Sequence, residues 1–138
     1  MNYSHDKGYR AEHALEALYR QRFNVDCYRP RAGRQDDVGD LCGVPWVSSV
    51  KDHARLSLAA WVDDLVLMVE RSPWAHGAVW HKRAGRADPL NWYVTMPGKL
   101  YLPVMEEYYA LRQGTVRAVS PPFGDSVPED IRRAMRSL

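Results

Sequence analysis

Residues 46–51, WVSSVK, read as a short apolar strand, and a few positions later the hydrophobic period changes. Leu58, Trp61, Val62, Leu65, Val66 and Val69 recur at helical spacing, with Ser57 placed to cap the start, until Ser72-Pro73 breaks the pattern. Residues 77–82, GAVWHK, then return to a strand. A strand, an amphipathic helix and a second strand cannot bury their apolar surfaces singly. They need a sheet packed against a helical layer, which confines the chain to the α/β class.

The flanking segments extend this frame. Residues 4–23 carry Ala11, Ala14, Leu15, Leu18 and Tyr19 on one helical stripe, bordered by Glu12 with Glu16 one turn on. Residues 24–29 alternate Val25, Cys27 and Arg29 against Asp26 and Tyr28, a strand pattern that Pro30 ends. RAGRQDDVG follows without periodicity and reads as a mobile loop. Residues 38–41 and 46–51 form an expected hairpin turning at Gly43-Val-Pro45. Residues 91–95 read as a further strand, and Pro97 opens a helix with Leu100, Val104, Tyr108 and Leu111 in register, stopping at Gly114. The predicted order is α-β-β-β-α-β-β-α, a mixed β-sheet flanked by helices. One domain over 1–119 is expected, followed by an extension over 120–138. That extension opens on the spacer SPPFGD, and its SVPE capping box precedes Ile131, Met135 and Leu138 on one helical face.

The 138 residues suffice for a single core without disulfides or metal staples. Cys27 and Cys42 lack any CxxC or Cys/His companion, which argues against a zinc site and for reduced thiols. Apolar runs are too short to span a membrane and the N-terminus is not signal-like, so a cytoplasmic address is expected. Net charge is only +2 but unevenly spread. Residues 1–34 hold seven Lys/Arg against four acids, 35–75 three against seven, and 76–100 four against one. Two basic blocks around an acidic middle suit a phosphate-binding surface around a metal-holding centre, and equally suit ordinary surface patterning.

Hydrolysis of a phosphodiester calls for a metal that polarises the phosphate and supplies a bound hydroxide near neutral pH. Mg²⁺ or Mn²⁺ prefers carboxylate oxygens and keeps several waters. A hairpin with an acid on one strand, and an acid and a lysine two apart on the next, builds such a site because residues two apart face the same side. Asp40 stands as the first-strand acid, Lys51 as the lysine that orients water or offsets transition-state charge, and Glu12 as a further ligand from the first helix.

The ordered series Gly8-YRAE-Glu12, Gly39-Asp40-Leu41 and Ser49-Val50-Lys51 resembles the PD-(D/E)xK nuclease superfamily. KDHARLSLAAWVDDL and AVWHKRAGRADPLNWYVTM narrow the resemblance to archaeal-type Holliday junction resolvases and their relatives encoded by phages of actinobacteria. It covers roughly residues 6–100. It implies a restriction-endonuclease-like fold and a Mg²⁺-dependent (or Mn²⁺-dependent) endonuclease acting on branched DNA as a homodimer, in the host cytoplasm if phage-encoded. Glu12 and Asp40 match the metal ligands and Lys51 the catalytic lysine. Arg29, Arg31 and Arg34 fall where such proteins have basic, mobile segments that follow DNA, and Lys82 and Arg83 match basic residues leaving the next strand; Lys7, Arg10, His53 and Arg86 are further candidate DNA contacts.

Ser49 departs from the pattern, since a carboxylate is expected there. A hydroxyl is a neutral, weak ligand, so metal affinity and water activation should fall. Asp36, Asp37 or Asp52 could replace the lost group, with Asp52 the poorer substitute because it points to the opposite strand face if the strand continues. Otherwise the chain is an inactive relative that binds branched DNA without cutting it, or a substituted form made to trap an uncleaved state. His76 and His81 read as sheet or surface residues, the five tryptophans mostly as core, and Asp63/Asp64 as the wet face of a helix.

Overall fold

A computed structural model describes residues 3–30, 39–114 and Arg133. Within them run α1 (Tyr3–Phe23), β1 (Val47–Lys51), α2 (Leu58–Arg71), β2 (Gly77–His81), β3 (Tyr93–Thr95) and α3 (Gly98–Arg112), with a 3-10 turn at Pro89–Asn91. The sheet order is β1-β2-β3: β1 and β2 are parallel, and β2 and β3 are antiparallel. This is a mixed α/β architecture. The loop 31–38, with Arg31, Arg34, Asp36 and Asp37, and the expected C-terminal helix lie outside the described residues.

The parallel pair follows from the strand–helix–strand pattern, because α2 returns the chain to the end of the sheet where β1 began. Its stripe buries Trp61, Leu65 and Val69 against Val47, Val79 and Leu100. The approach is close at Gly77, where a Cβ would stand 2.7 Å from Val69 Cγ2 and 3.0 Å from the Val47 carbonyl oxygen. On the other face, Ala11, Leu15 and Tyr19 of α1 pack on Val50, Leu41, Val44, Cys27 and Trp92. Strand alternation divides β1 accordingly. Ser48 and Val50 face α1, and Val47, Ser49 and Lys51 face α2.

Three expectations need correction. The strand over 24–29 shrinks to one antiparallel bridge, Tyr28 to Cys42. Its alternation survives, with Cys27 buried and Asp26 and Tyr28 exposed, but Asn24 turns left-handed (φ 52°) at the end of α1 and no ladder forms. The hairpin is absent too: Gly43 takes φ 95°, and a Cβ there would collide with the Asp26 carbonyl. Residues 39–46 therefore wrap around β1 instead of running beside it as a ladder. In α3, only Leu100 of the expected stripe is buried, and Tyr101, Leu102, Met105, Tyr108 and Tyr109 are exposed. Ser57 sits at the N-cap of α2 without a side-chain cap bond, and its carbonyl accepts from Trp61 N–H. No helix among the described residues is long and apolar enough to cross a membrane.

Candidate nucleic-acid and metal site at the open edge of the sheet

In β1, odd-numbered residues turn their main-chain groups toward β2, leaving Ser48 C=O and Val50 N–H on the open edge. Asp40 occupies that edge. Its N–H donates to Ser48 O at 2.7 Å, and Val50 N–H donates to its Oδ2 at 2.6 Å. These two bonds reproduce what a parallel strand would make around Ser49, with a carboxylate oxygen in place of a main-chain carbonyl. Gly39, at φ 88°, makes the preceding turn possible. Asp40 thus stands beside Ser49, with its carboxyl pushed above the ordinary range. Burial is the main cause, partly offset by the Val50 N–H and the charge of Lys51.

Ser49 is buried, only 1% exposed, opposite Val79, and Lys51 follows on the same face opposite His81. The geometry does bring Asp40, Ser49 and Lys51 together, by a bent connection rather than a hairpin.

The placement of Glu12 follows from how α1 is pinned. Tyr19 OH and Ser48 Oγ share a buried hydrogen bond at 2.9 Å, and Lys7 Nζ lies 3.6 Å from Asp52 Oδ1. Between the pins α1 rises about 18 Å and β1 about 13 Å, running in opposite senses. Glu12 lies on α1 between these two pins, and α1 packs on the sheet face of Ser48 and Val50, opposite that of Ser49 and Lys51. Glu12 Oε2 accepts from Arg29 Nη1 at 3.3 Å, while the Arg29 guanidinium lies 3.8 Å from the Tyr9 ring centroid and 4.0 Å from Glu16. Arg29 is therefore held by α1 as a neutralising partner for two glutamates.

Asp52 does not stand in for a carboxylate at position 49. It is spent between Lys7 at 3.6 Å and Lys82 Nζ at 3.7 Å, with its side chain 11% exposed. Among the described residues no three His, Cys, Asp or Glu side chains converge as a metal cage. The donor chemistry still suits a hard cation: two carboxylates and a hydroxyl are all oxygen ligands, and Mg²⁺ commonly takes one or two protein carboxylates with water and phosphate completing its shell.

Of the proposed DNA contacts, Lys7 and Lys82 meet at Asp52, Arg10 and Arg86 are exposed, and Arg83 lies over the Tyr93 ring at 5.1 Å. His53 is exposed, its ring tilted against that of Trp61 with centroids 5.6 Å apart. Sequence reasoning missed His81, which is 6% exposed and shares a hydrogen bond with Thr95 Oγ1 at 2.9 Å. It packs between Trp61 at 6.0 Å and Tyr93 at 5.3 Å. Burial lowers its pKa, keeping the ring neutral beside Lys51. Alternation within GAVWHK put His81 on the face of Val79, but the strand register that sets it opposite Lys51 has no signature in composition. No family model, curated protein or solved structure matches the chain.

Proposed function

We propose that the chain is a metal-dependent, structure-selective DNA endonuclease of the Holliday-junction-resolvase kind, hydrolysing phosphodiester bonds of branched DNA. The observation that carries the reading is the placement of Asp40 beside Ser49 at the open edge of β1, with Lys51 two residues on and close enough to moderate the Asp40 charge. Glu12 and Asp40 would hold Mg²⁺ or Mn²⁺. When bound, the ion supplies Lewis acidity at the phosphate and a more acidic water. Lys51 orients the attacking water or balances charge on the phosphate, and neutral His81 beside it adds no competing positive charge. Lys7, Arg10, Lys82, Arg83 and Arg86 bind backbone without reading sequence. A homodimer would present two such centres to the two strands of a four-way junction.

One observation favours a second reading, binding of branched DNA without cleavage. The place two residues before Lys51 holds a buried serine, whose neutral hydroxyl is a weak metal ligand. Incubating the protein with end-labelled four-way junction and Mg²⁺ or Mn²⁺ separates the two. Metal-dependent nicking lost in Lys51→Ala supports the endonuclease. Salt-sensitive junction binding without nicking at any metal concentration supports the second reading, and no binding to branched DNA at low salt refutes both.

A further inference from the structure

Lys51, His81 and Tyr93 form one transverse row across the sheet. Lys51 is the parallel partner of His81, and His81 is the antiparallel partner of Tyr93, so all three share the α2 face at the carboxyl ends of β1 and β2. The row differs in burial from one end to the other. His81 is covered by Trp61, whereas Tyr93 stands 54% exposed on the edge strand. Two strand spacings put its backbone about 10 Å from that of Lys51.

The surroundings of Tyr93 are built rather than loose. One side of the ring rests on His81 at 5.3 Å, and the Arg83 guanidinium lies 5.1 Å from its centroid. The connection between Arg83 and Tyr93 is fixed at several points. Arg86 N–H closes a turn onto Arg83 O at 3.1 Å with Gly85 at φ 72°, Trp92 Nε1 donates to Arg86 O at 2.8 Å, and Leu90 N–H donates to Asp88 Oδ1 at 2.9 Å. An exposed aromatic ring, backed by a second ring and accompanied by a guanidinium, is the combination that stacks an unpaired base while neutralising its phosphate.

We propose that Tyr93 with Arg83 is a stacking platform for an unpaired nucleobase of the branched DNA, on the nucleotide neighbouring the phosphate held at Lys51. This rests on the DNA reading above and refines it: selectivity for branch points comes from a base that a continuous duplex keeps stacked internally. The exposed ring does not contribute to the core, so its replacement leaves the fold intact.

The test uses the full chain and fluorescence anisotropy on three probes of equal length: a duplex, a splayed fork and a four-way junction with two unpaired nucleotides at its centre. Tyr93→Leu is expected to weaken the fork and open junction by about 5- to 150-fold while leaving the duplex unchanged. Tyr93→Phe keeps the ring and should bind like the wild type. The salt slope should be unchanged in Tyr93→Leu and reduced by about one in Arg83→Ala, since only the latter loses a phosphate contact. Equal losses for Leu and Phe, equal losses on duplex and branched probes, or wild-type binding by Tyr93→Leu would each overturn the platform while leaving DNA binding standing. Wild-type protein that binds none of the probes overturns the DNA reading itself.

Discussion

Replacing Asp40 tests the bond pattern at the open edge of β1 separately from any chemistry. Val50 is only 8% exposed, and its N–H has the Asp40 carboxylate as acceptor at 2.6 Å. Asp40→Ala removes that acceptor and leaves a buried donor, a loss of about 1–3 kcal/mol. Asp40→Asn keeps an oxygen in place with nearly the same shape. It forfeits the charge-assisted part of the bond but also the burial of a charge, so its loss should be clearly smaller. Urea unfolding followed by tryptophan fluorescence at pH 7 reads the difference. At about 2 kcal/mol per molar, a 2 kcal/mol loss moves the midpoint by about 1 M.

The pH dependence sharpens this test. Asp40 titrates above the ordinary 3.8 in the folded chain, so the native state holds its proton more tightly than the unfolded state. Its contribution is fully present below about 3.8 and is lost as pH rises through the folded value. Asparagine has no such loss. The wild-type advantage over Asp40→Asn should therefore shrink as pH rises from about 4 toward neutrality, whatever the rest of the protein does in acid. The reasoning is refuted if Asp40→Ala matches the wild type, or if Asp40→Asn is as unstable as Asp40→Ala. Either result would mean that the carboxylate does not serve as a surrogate strand partner.

Ser49→Glu should lower the melting temperature without metal, because it buries a second carboxylate beside Asp40, and Mg²⁺ or Mn²⁺ should restore it. Calorimetry with and without the ion reads both, and nicking of labelled junction that appears only in this variant identifies the serine as the disabling residue. Asp52→Asn removes the carboxylate that faces Lys82 at 3.7 Å. Junction affinity at low salt should rise, with a log–log salt slope steeper by up to about one, measured by anisotropy between 50 and 200 mM salt. Burial depresses the His81 pKa below 6.5, so wild-type stability gained from its neutrality is full above about 6.5 and declines as pH falls through the folded value. His81→Phe lacks that decline, and denaturation midpoints at pH 8 and pH 5 should show the gap between the two proteins shifting toward the variant in acid.

The helices and the β1-α2-β2 core were legible because their signal is local. Leu58 to Val69 repeats at helical spacing, and the runs on either side are short and β-branched. What failed were elements whose existence depends on partners. Residues 24–29 alternate as a strand does, yet a strand needs a neighbour, and the wrap of residues 39–46 presents only Cys42 to Tyr28. The hairpin expectation counted Gly43 and Pro45 as a turn but had no means to foresee that the Gly43 backbone packs against Asp26. At the site, Asp40 and Lys51 were found by their spacing around Ser49, whereas the row Lys51–His81–Tyr93 depends on inter-strand register. The tie of Asp52 to Lys7 and Lys82 is a tertiary fact with no local signature.

Ser49 acquires a physical meaning from this geometry that spacing alone does not supply. A carboxylate at a position 1% exposed, adjacent to one already resisting ionisation, holds two negative charges in a poorly solvated edge. Such a pair persists only with a shared proton or a bound cation, so folding and metal occupancy become linked. Serine dissolves that linkage. Asp40 is then left free to act as the surrogate strand partner of β1, with a single charge moderated by Val50 N–H and Lys51. With serine rather than a carboxylate at position 49, the open edge of the sheet is satisfied by Asp40 alone. Lys51 and the Arg83–Tyr93 pair owe their placement to strand register and not to a cation, so the surface proposed to meet DNA is independent of metal.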